Sequence, residues 1–416
     1  MIKINGIKIN DALSFVALFV AFICATNGEL LYTKSNLIYY LPYAVCAVAL
    51  VFELMIRQKA KLSSYLTWRV LLIVFLLFSM VYAIDRNDAL TVIKRYLLQS
   101  VVVILIGFKV TERAENVKLI IKICLVALVL NMIYLLSFVD LEMLAEGERL
   151  GVNAINESWN ANQVGLMATF GVIFTFYIGF VISPKAGMWS KLFALALIVL
   201  FAFGAVLSGS KKAIIIILAT LLLYILRSSK SHRVRNVVLA VLLLIGALYA
   251  IYNVPLLYDF VGHRFEDMLD AFFGEGGDRS SQIRQNMMQF GMEAFTRKPV
   301  LGYGPDGFAN LYGAISGDAV YSHNNFVEML VSTGLVGFVL YYGYLVKMLF
   351  TKCVSGKQTV FMKAMLIAML VADIGLVSYY DAFYQYVLCL VLYSLMFVMQ
   401  AKTETSNTHQ ELQAEK

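Results

Sequence analysis

Apolar blocks of about 17 to 22 residues recur along most of this chain, and each can carry a helix across roughly 30 Å of hydrocarbon. A backbone crossing lipid must satisfy its own hydrogen bonds, so such blocks leave little choice but helices. Twelve spans are expected, at about 12–27, 36–56, 65–84, 92–109, 118–139, 162–182, 191–208, 212–227, 237–253, 324–349, 361–379 and 383–400. Only 15% of the 416 residues are charged, against about a quarter in a soluble domain. The fold class is therefore an all-α polytopic membrane protein, with residues 1–400 as one integral membrane domain. The first block, Ala12 to Thr26, lacks a small-residue cleavage site and is followed by many others, which makes it a retained helix rather than a signal peptide.

Basic residues orient the spans through the positive-inside rule. One set of alternate connections holds Lys3 and Lys8, then Arg57, Lys59 and Lys61, and later Arg227, Lys230, Arg233 and Arg235, with more than half of the 34 basic residues in total. The other set is poorer or acidic, as in Asp140 to Glu148. Both termini are expected in the cytoplasm, with residues 401–416 a polar, disordered tail. The formal charge of +7 is dispersed over short loops, which argues against nucleic acid as a partner. The five cysteines show no metal-site spacing, and neither a metal nor a cofactor is expected. No internal repeat is visible, so the inverted-repeat plan of many transporters has no support.

One long polar stretch, Tyr252 to Tyr321, interrupts the apolar pattern and sets an extracytoplasmic loop of about 254–322. It is too patterned for a linker. Ser280-Ser281 can cap a helix running to about Phe295, before Lys298-Pro299 ends it. Ile283, Met287, Met288, Phe290, Gly291, Ala294 and Phe295 share one side of that helix, as a surface-lying amphipathic helix requires. Arg284 falls near the middle of that apolar side, which fits either an anionic ligand or snorkelling to lipid headgroups. The following Gly302-Tyr303-Gly304 makes a tight turn, and a phosphate cradle is the alternative reading.

Other charges sit against the orienting rule. Lys211 and Lys212 follow Ser208-Gly-Ser210 in a hairpin with almost no loop, on the outer side. Ionisable groups at membrane depth are functional candidates, although interfacial anchoring is an alternative. Lys94 and Arg95 read more simply as anchors. Arg149 lies beside Asn153, Asn156, Asn160 and Asn162, amides suited to sugar hydroxyls or to ordinary loop polarity. Of the four histidines, His323 stands where the long loop meets the next span, flanked by Ser322 and Asn324. A lone histidine is more often structural, yet one at this interface can take a proton from a hydroxyl. His263, beside Arg264, is a weaker candidate of the same kind.

Three segments together resemble the O-antigen ligase and O-antigen polymerase superfamily. They are Ser208-Gly-Ser-Lys211 at an outer hairpin, Arg284 ahead of Pro299 and Gly302-Tyr-Gly304, and His323-Asn324 with Glu328 and Gly334-Leu-Val-Gly337. The likeness covers about 200–340, with Asn160-Ala-Asn162 a fainter echo. It implies a GT-C-like helical bundle in the bacterial cytoplasmic (inner) membrane that moves a glycan from undecaprenyl diphosphate onto a sugar hydroxyl. The acceptor would be a second repeat unit or a lipid A core. Chain-length regulator and flippase proteins, besides membrane lipids, are the partners it implies. By the same resemblance His323, Arg284 and Lys211 are catalytic, and Lys212, Asn324, Arg264 and Arg149 bind substrate. Arg284 would hold the diphosphate through paired, charge-assisted hydrogen bonds. The family usually has arginine where this chain has Lys211, and lysine lacks that bidentate geometry. Polymerase is the leading expectation and ligase the alternative, while a transporter of the same lipid-linked sugars is the rival from another class.

Overall fold

The computed structural model describes residues 3–4, 7–26, 36–56, 63–113, 115–139, 149–150, 160–228, 232–263, 265–266, 279–351 and 356–396. Arg264, Asn153, Asn156, the acidic stretch 140–148 and the tail 401–416 lie outside the described residues. Apart from a two-residue antiparallel pair, Lys3–Ile4 with Ile7–Lys8, the described residues form helices and turns. In chain order the helices are α1 Ile9–Ala25, α2 Asn36–Ile56, α3 Ser64–Ser79, α4 Arg86–Glu112, α5 Glu115–Leu136 and α6 Ala161–Phe176. They continue with α7 Met188–Leu207, α8 Lys211–Arg227, α9 Arg233–Asn253, α10 Arg279–Arg297, α11 Gly307–Ser316, α12 Asn325–Phe350, α13 Lys357–Ala372 and α14 Ala382–Met396.

Seven of these are long and apolar enough to cross a membrane: α2 from Tyr39, α4, α5, α6 with its π-helical extension to Ile182, α7, α9 and α12. Helices α1, α3 and α14 are apolar but shorter. A helix stands at each of the twelve expected spans, and the chain is an all-helical membrane protein. Its exposed surface agrees, since α7 and α9 turn Trp189, Phe193, Leu242, Ile245 and Tyr249 outward. Apolar side chains facing outward over whole helices cost nothing in lipid and are rare on soluble monomers.

The interior is one continuous apolar core running from α1 to α14. Among the described residues, two basic side chains, Lys109 and Arg69, are fully buried inside it. Lys109 of α4 is fully buried and donates to Glu53 (2.9 Å), Glu112 (2.8 Å) and Asp11. Ser14 donates to the same Glu53 oxygen, at 2.9 Å. Arg69 of α3 is held by Ser100 (2.8 Å), Gln385 (3.0 Å) and the face of Tyr96. Both sites meet the requirement that a buried charge be bonded on several sides.

A second, small core covers one end of the bundle. Met287 and Ala294 of α10, Phe308 of α11, Tyr303, and Val327 and Val331 of α12 pack together there. Helix α10 thus runs from Arg279 to Arg297, close to the expected helix. Ile283 and Met288, expected on its packed side, are instead exposed, because only the narrower stripe Met287–Gly291–Ala294 faces α12. The glycine motifs explain how the connection after α10 is anchored. Helix α12 breaks at Gly334 (φ 64°, ψ −170°), and residues 299–303 lie along the break. Leu335 N donates to Pro299 O (2.8 Å) and Tyr303 N to Val331 O (2.9 Å). A Cβ on Gly334 would sit 2.4 Å from Val300 O, and one on Gly302 would sit 2.5 Å from Val331 O. Two segments far apart in sequence therefore interlock only because both are glycine where they touch.

Candidate active site

The loop that carries His323 is fixed on both sides. Asn324 caps α12, its Oδ1 accepting from Phe326 N (3.0 Å) and Val327 N (3.2 Å). Ser322 N donates to Glu328 Oε2 (2.9 Å), and Ser322 Oγ donates to Asn324 O (2.8 Å). Between these anchors His323 adopts φ 56°, a left-handed backbone conformation uncommon for a side chain with Cβ. Such strain persists only where the surroundings over-determine it, as they do here. The imidazole packs on Tyr321, with ring centroids 4.3 Å apart.

The next residue ties this loop to the far end of the chain. Asn325 N donates to Asp373 O (2.8 Å), and its Nδ2 donates to Tyr342 Oη (2.7 Å). Its Oδ1 accepts from Ser378 N (3.0 Å) and Tyr379 N (3.2 Å). Asp373, fully buried, accepts from Ser378 Oγ, Tyr342 Oη and Tyr384 Oη. The loop therefore rests on the α13–α14 connection through groups whose hydrogen bonds are made.

On the opposite side stands the hairpin Leu207–Lys211. Gly209 is left-handed (φ 56°), and Arg149 Nε donates to Ser208 O (2.8 Å) across the turn. Gly165 of α6 backs it, since a Cβ there would meet Ser210 Cβ at 2.6 Å. Asn160 caps α6 by accepting from Asn162 N at 2.9 Å. This packing brings the Asn160-Ala-Asn162 segment beside Ser208-Gly-Ser210.

Between these walls lies a cavity of about 260 Å³, lined by Lys212, His323, Tyr321, Asn160, Asn162 and Ser210 among others. Lys212, rather than Lys211, is on its wall. Arg284 is exposed on α10, off the cavity wall and one turn before the buried Met287, and its charge acts on both Lys212 and His323. The charge of Arg149 also acts on Lys212. Burial first, and then Arg284 and Lys212, hold His323 at about 4, below the ordinary 6.5. Its imidazole is consequently neutral near pH 7, the form that can accept a proton. Among the described residues no carboxylate pairs with Lys212 or Arg284, in contrast to Lys109.

The expected residues thus divide. His323, Arg284, Lys212 and Arg149 share one neighbourhood, whereas Lys211 is off the cavity wall and the Asn324 carboxamide oxygen is occupied by the helix cap. His263 is held by its own turn, Nδ1 lying 3.1 Å from Tyr258 O. Sequence reasoning missed several lining residues, namely Arg95, Gln99, Tyr321, Tyr380 and Asp381. Arg95 was read as an anchor; the usable signal was Gln99, a polar residue one turn further along the same apolar helix. Among the described residues no group of three His, Cys, Asp or Glu side chains is arranged to hold a metal ion.

A comparison with family models matches residues 195–342 to the O-antigen ligase family. No curated protein matches the sequence. The matched stretch contains the Ser208–Lys212 hairpin, Arg284, the interlocking glycines and His323. It ends at Tyr342, which bonds Asn325. That stretch, about a third of the chain, supports the likeness to the O-antigen ligase and polymerase superfamily.

Proposed function

We propose that this protein polymerises glycan repeat units carried on undecaprenyl diphosphate, at the outer face of the bacterial cytoplasmic membrane. The observation that carries the reading is the shared cavity of Lys212 and His323, with Arg284 acting on both and, among the described residues, no carboxylate pairing with either cation. An uncompensated cationic pair beside a neutral imidazole fits an anionic leaving group next to a hydroxyl nucleophile. In the proposed step His323 takes the proton of the acceptor hydroxyl, and that oxygen bonds to the anomeric carbon of the donor sugar. The bond from that carbon to the diphosphate oxygen breaks, and both electrons leave with the lipid diphosphate. Arg284 and Lys212 hold the charge that develops there, so Lys212 takes the part first expected of Lys211. The reading includes all twelve helices as spans, both termini in the cytoplasm and the 254–322 segment outside.

O-antigen ligation, with a lipid A core as acceptor, uses the same chemistry and is the second reading; the family match fits either acceptor. One reaction separates them. Purified protein is incubated with undecaprenyl-diphosphate-linked repeat units, with and without lipid A core, and the products are run on a gel. A ladder without the core is the expected result, whereas product only with the core means ligase. No product in either case, from folded protein and the native repeat, overturns glycan transfer and favours transport of the lipid-linked sugar.

A further inference from the structure

The cavity wall continues past the residues used above, to Gln99 of α4 and to Tyr380 and Asp381 ahead of α14. Gln99 is 2% exposed. Its Nε2 donates to the Tyr380 carbonyl, which fixes the orientation of the amide because the flipped form would set two oxygens against each other. Among the described residues its Oε1 has no hydrogen-bond partner. Buried polar atoms are almost always bonded, and one that is not requires an explanation. What sets Gln99 apart from the buried tyrosine hydroxyls of Tyr65, Tyr82, Tyr96 and Tyr379, which also lack a partner, is its place on the cavity wall. An amide oxygen with no partner cannot take a phosphate or a carboxylate. It needs an O–H or N–H donor. Tyr39, Tyr43, Tyr380 and Tyr386 line the same cavity, aromatic residues of the kind that pack on the C–H side of a sugar.

We propose that Gln99 is a sugar-binding residue whose Oε1 accepts a hydrogen bond from a hydroxyl or acetamido N–H of the glycan, in the cavity that Lys212 and His323 also line. This rests on the glycan-transfer reading. The sugar belongs to the donor repeat or to the acceptor repeat, and kinetics tells the two apart.

The test compares wild type with Gln99→Leu and with Gln99→Met, which keeps the unbranched side chain should the leucine variant not fold. The donor is the undecaprenyl-diphosphate-linked repeat. The acceptor is an alkyl glycoside of that repeat, which has no diphosphate and can only accept. A rise in KM of about tenfold, the effect of losing one buried hydrogen bond, is expected for one of the two compounds, with kcat changed far less. A rise for the glycoside assigns the acceptor sugar, and a rise for the lipid-linked repeat assigns the donor sugar. The same variants lose the rise in Tm that the glycoside or the lipid-linked repeat gives the wild type. Unchanged KM for both compounds overturns the proposal, because a water then satisfies Oε1. A loss confined to kcat overturns it as well, since that marks a packing role. No product from the wild type overturns the transfer reading, and this inference with it.

Discussion

Helix α4 carries Lys109 near one end and Arg95 near the other, about 21 Å apart at 1.5 Å per residue, and these ends belong to two charge systems of opposite design. Around Lys109 three carboxylates converge on one buried ammonium, and every close partner is part of the chain. Around the cavity, Lys212 and Arg284 act on a histidine, and among the described residues no carboxylate pairs with either cation. The first arrangement is complete without a ligand and stabilises the fold. In the proposed function the second awaits an anion. Buried charge by itself does not identify a site, since Arg69 is held by neutral partners alone; the two systems differ in whether a described carboxylate pairs with the cation.

The sharpest way to break this comparison is at the histidine. His323→Gln is expected to lower transfer at least about 100-fold, the usual contribution of a positioned general base, with the protein still folded. A purified variant with normal turnover would remove His323 from the mechanism. Lys109→Met should act on the other quantity. Removing one partner of a buried ion cluster costs about 3–5 kcal/mol, and thermal unfolding in detergent should report it. The fraction that stays folded should keep its KM and kcat.

Lys212→Met sharpens the contrast from the other side. It should cost roughly 10- to 100-fold in transfer, the worth of a hydrogen bond to a charged group, without lowering Tm. Lys211→Met should change transfer by less than about threefold, an effect on the order of surface substitutions. Equal losses at the two lysines would show that the cavity wall has been misassigned.

The smallest effect is in the pH dependence. With His323 at about 4, the acid limb of kcat/KM should lie near pH 4 and not near 6.5. A bound diphosphate offsets Arg284 and Lys212, so the limb of kcat should lie higher than that of kcat/KM. The same depression has a stability consequence. Native His323 releases its proton more readily than the unfolded chain does, so its contribution is fully present above about pH 6.5. It is lost as pH falls towards 4. In Lys212→Met both limbs should move up, because one of the charges lowering His323 is gone.

Much of this was legible in the sequence because lipid imposes simple rules. A helix stands at each of the twelve apolar blocks, and His323, Arg284 and Lys212 were flagged as charges or a histidine in places where structure alone gave little reason for them. The sequence could not say which of two adjacent lysines turns inward, because helix phase after a three-residue connection depends on tertiary packing against Gly165 and the α13–α14 connection. Asn324 looked like a ligand because an amide beside a histidine reads the same whether it binds sugar or caps a helix. Gln99 and Asp381 escaped notice because each becomes part of the cavity only when α4 and α14 meet, more than 270 residues apart. The buried Asn325–Asp373 network was invisible for the same reason.

The most direct test of the anion site is equilibrium binding of undecaprenyl diphosphate, without any sugar, to detergent-solubilised protein. Wild type and the Lys212→Met, Arg284→Ala double variant would be compared at low and at physiological salt. Binding by the wild type, weakened at least about tenfold in the double variant while Tm is kept, is the predicted result. Equal affinity in the two proteins would contradict the account, because the cations of this cavity would then not be holding the diphosphate.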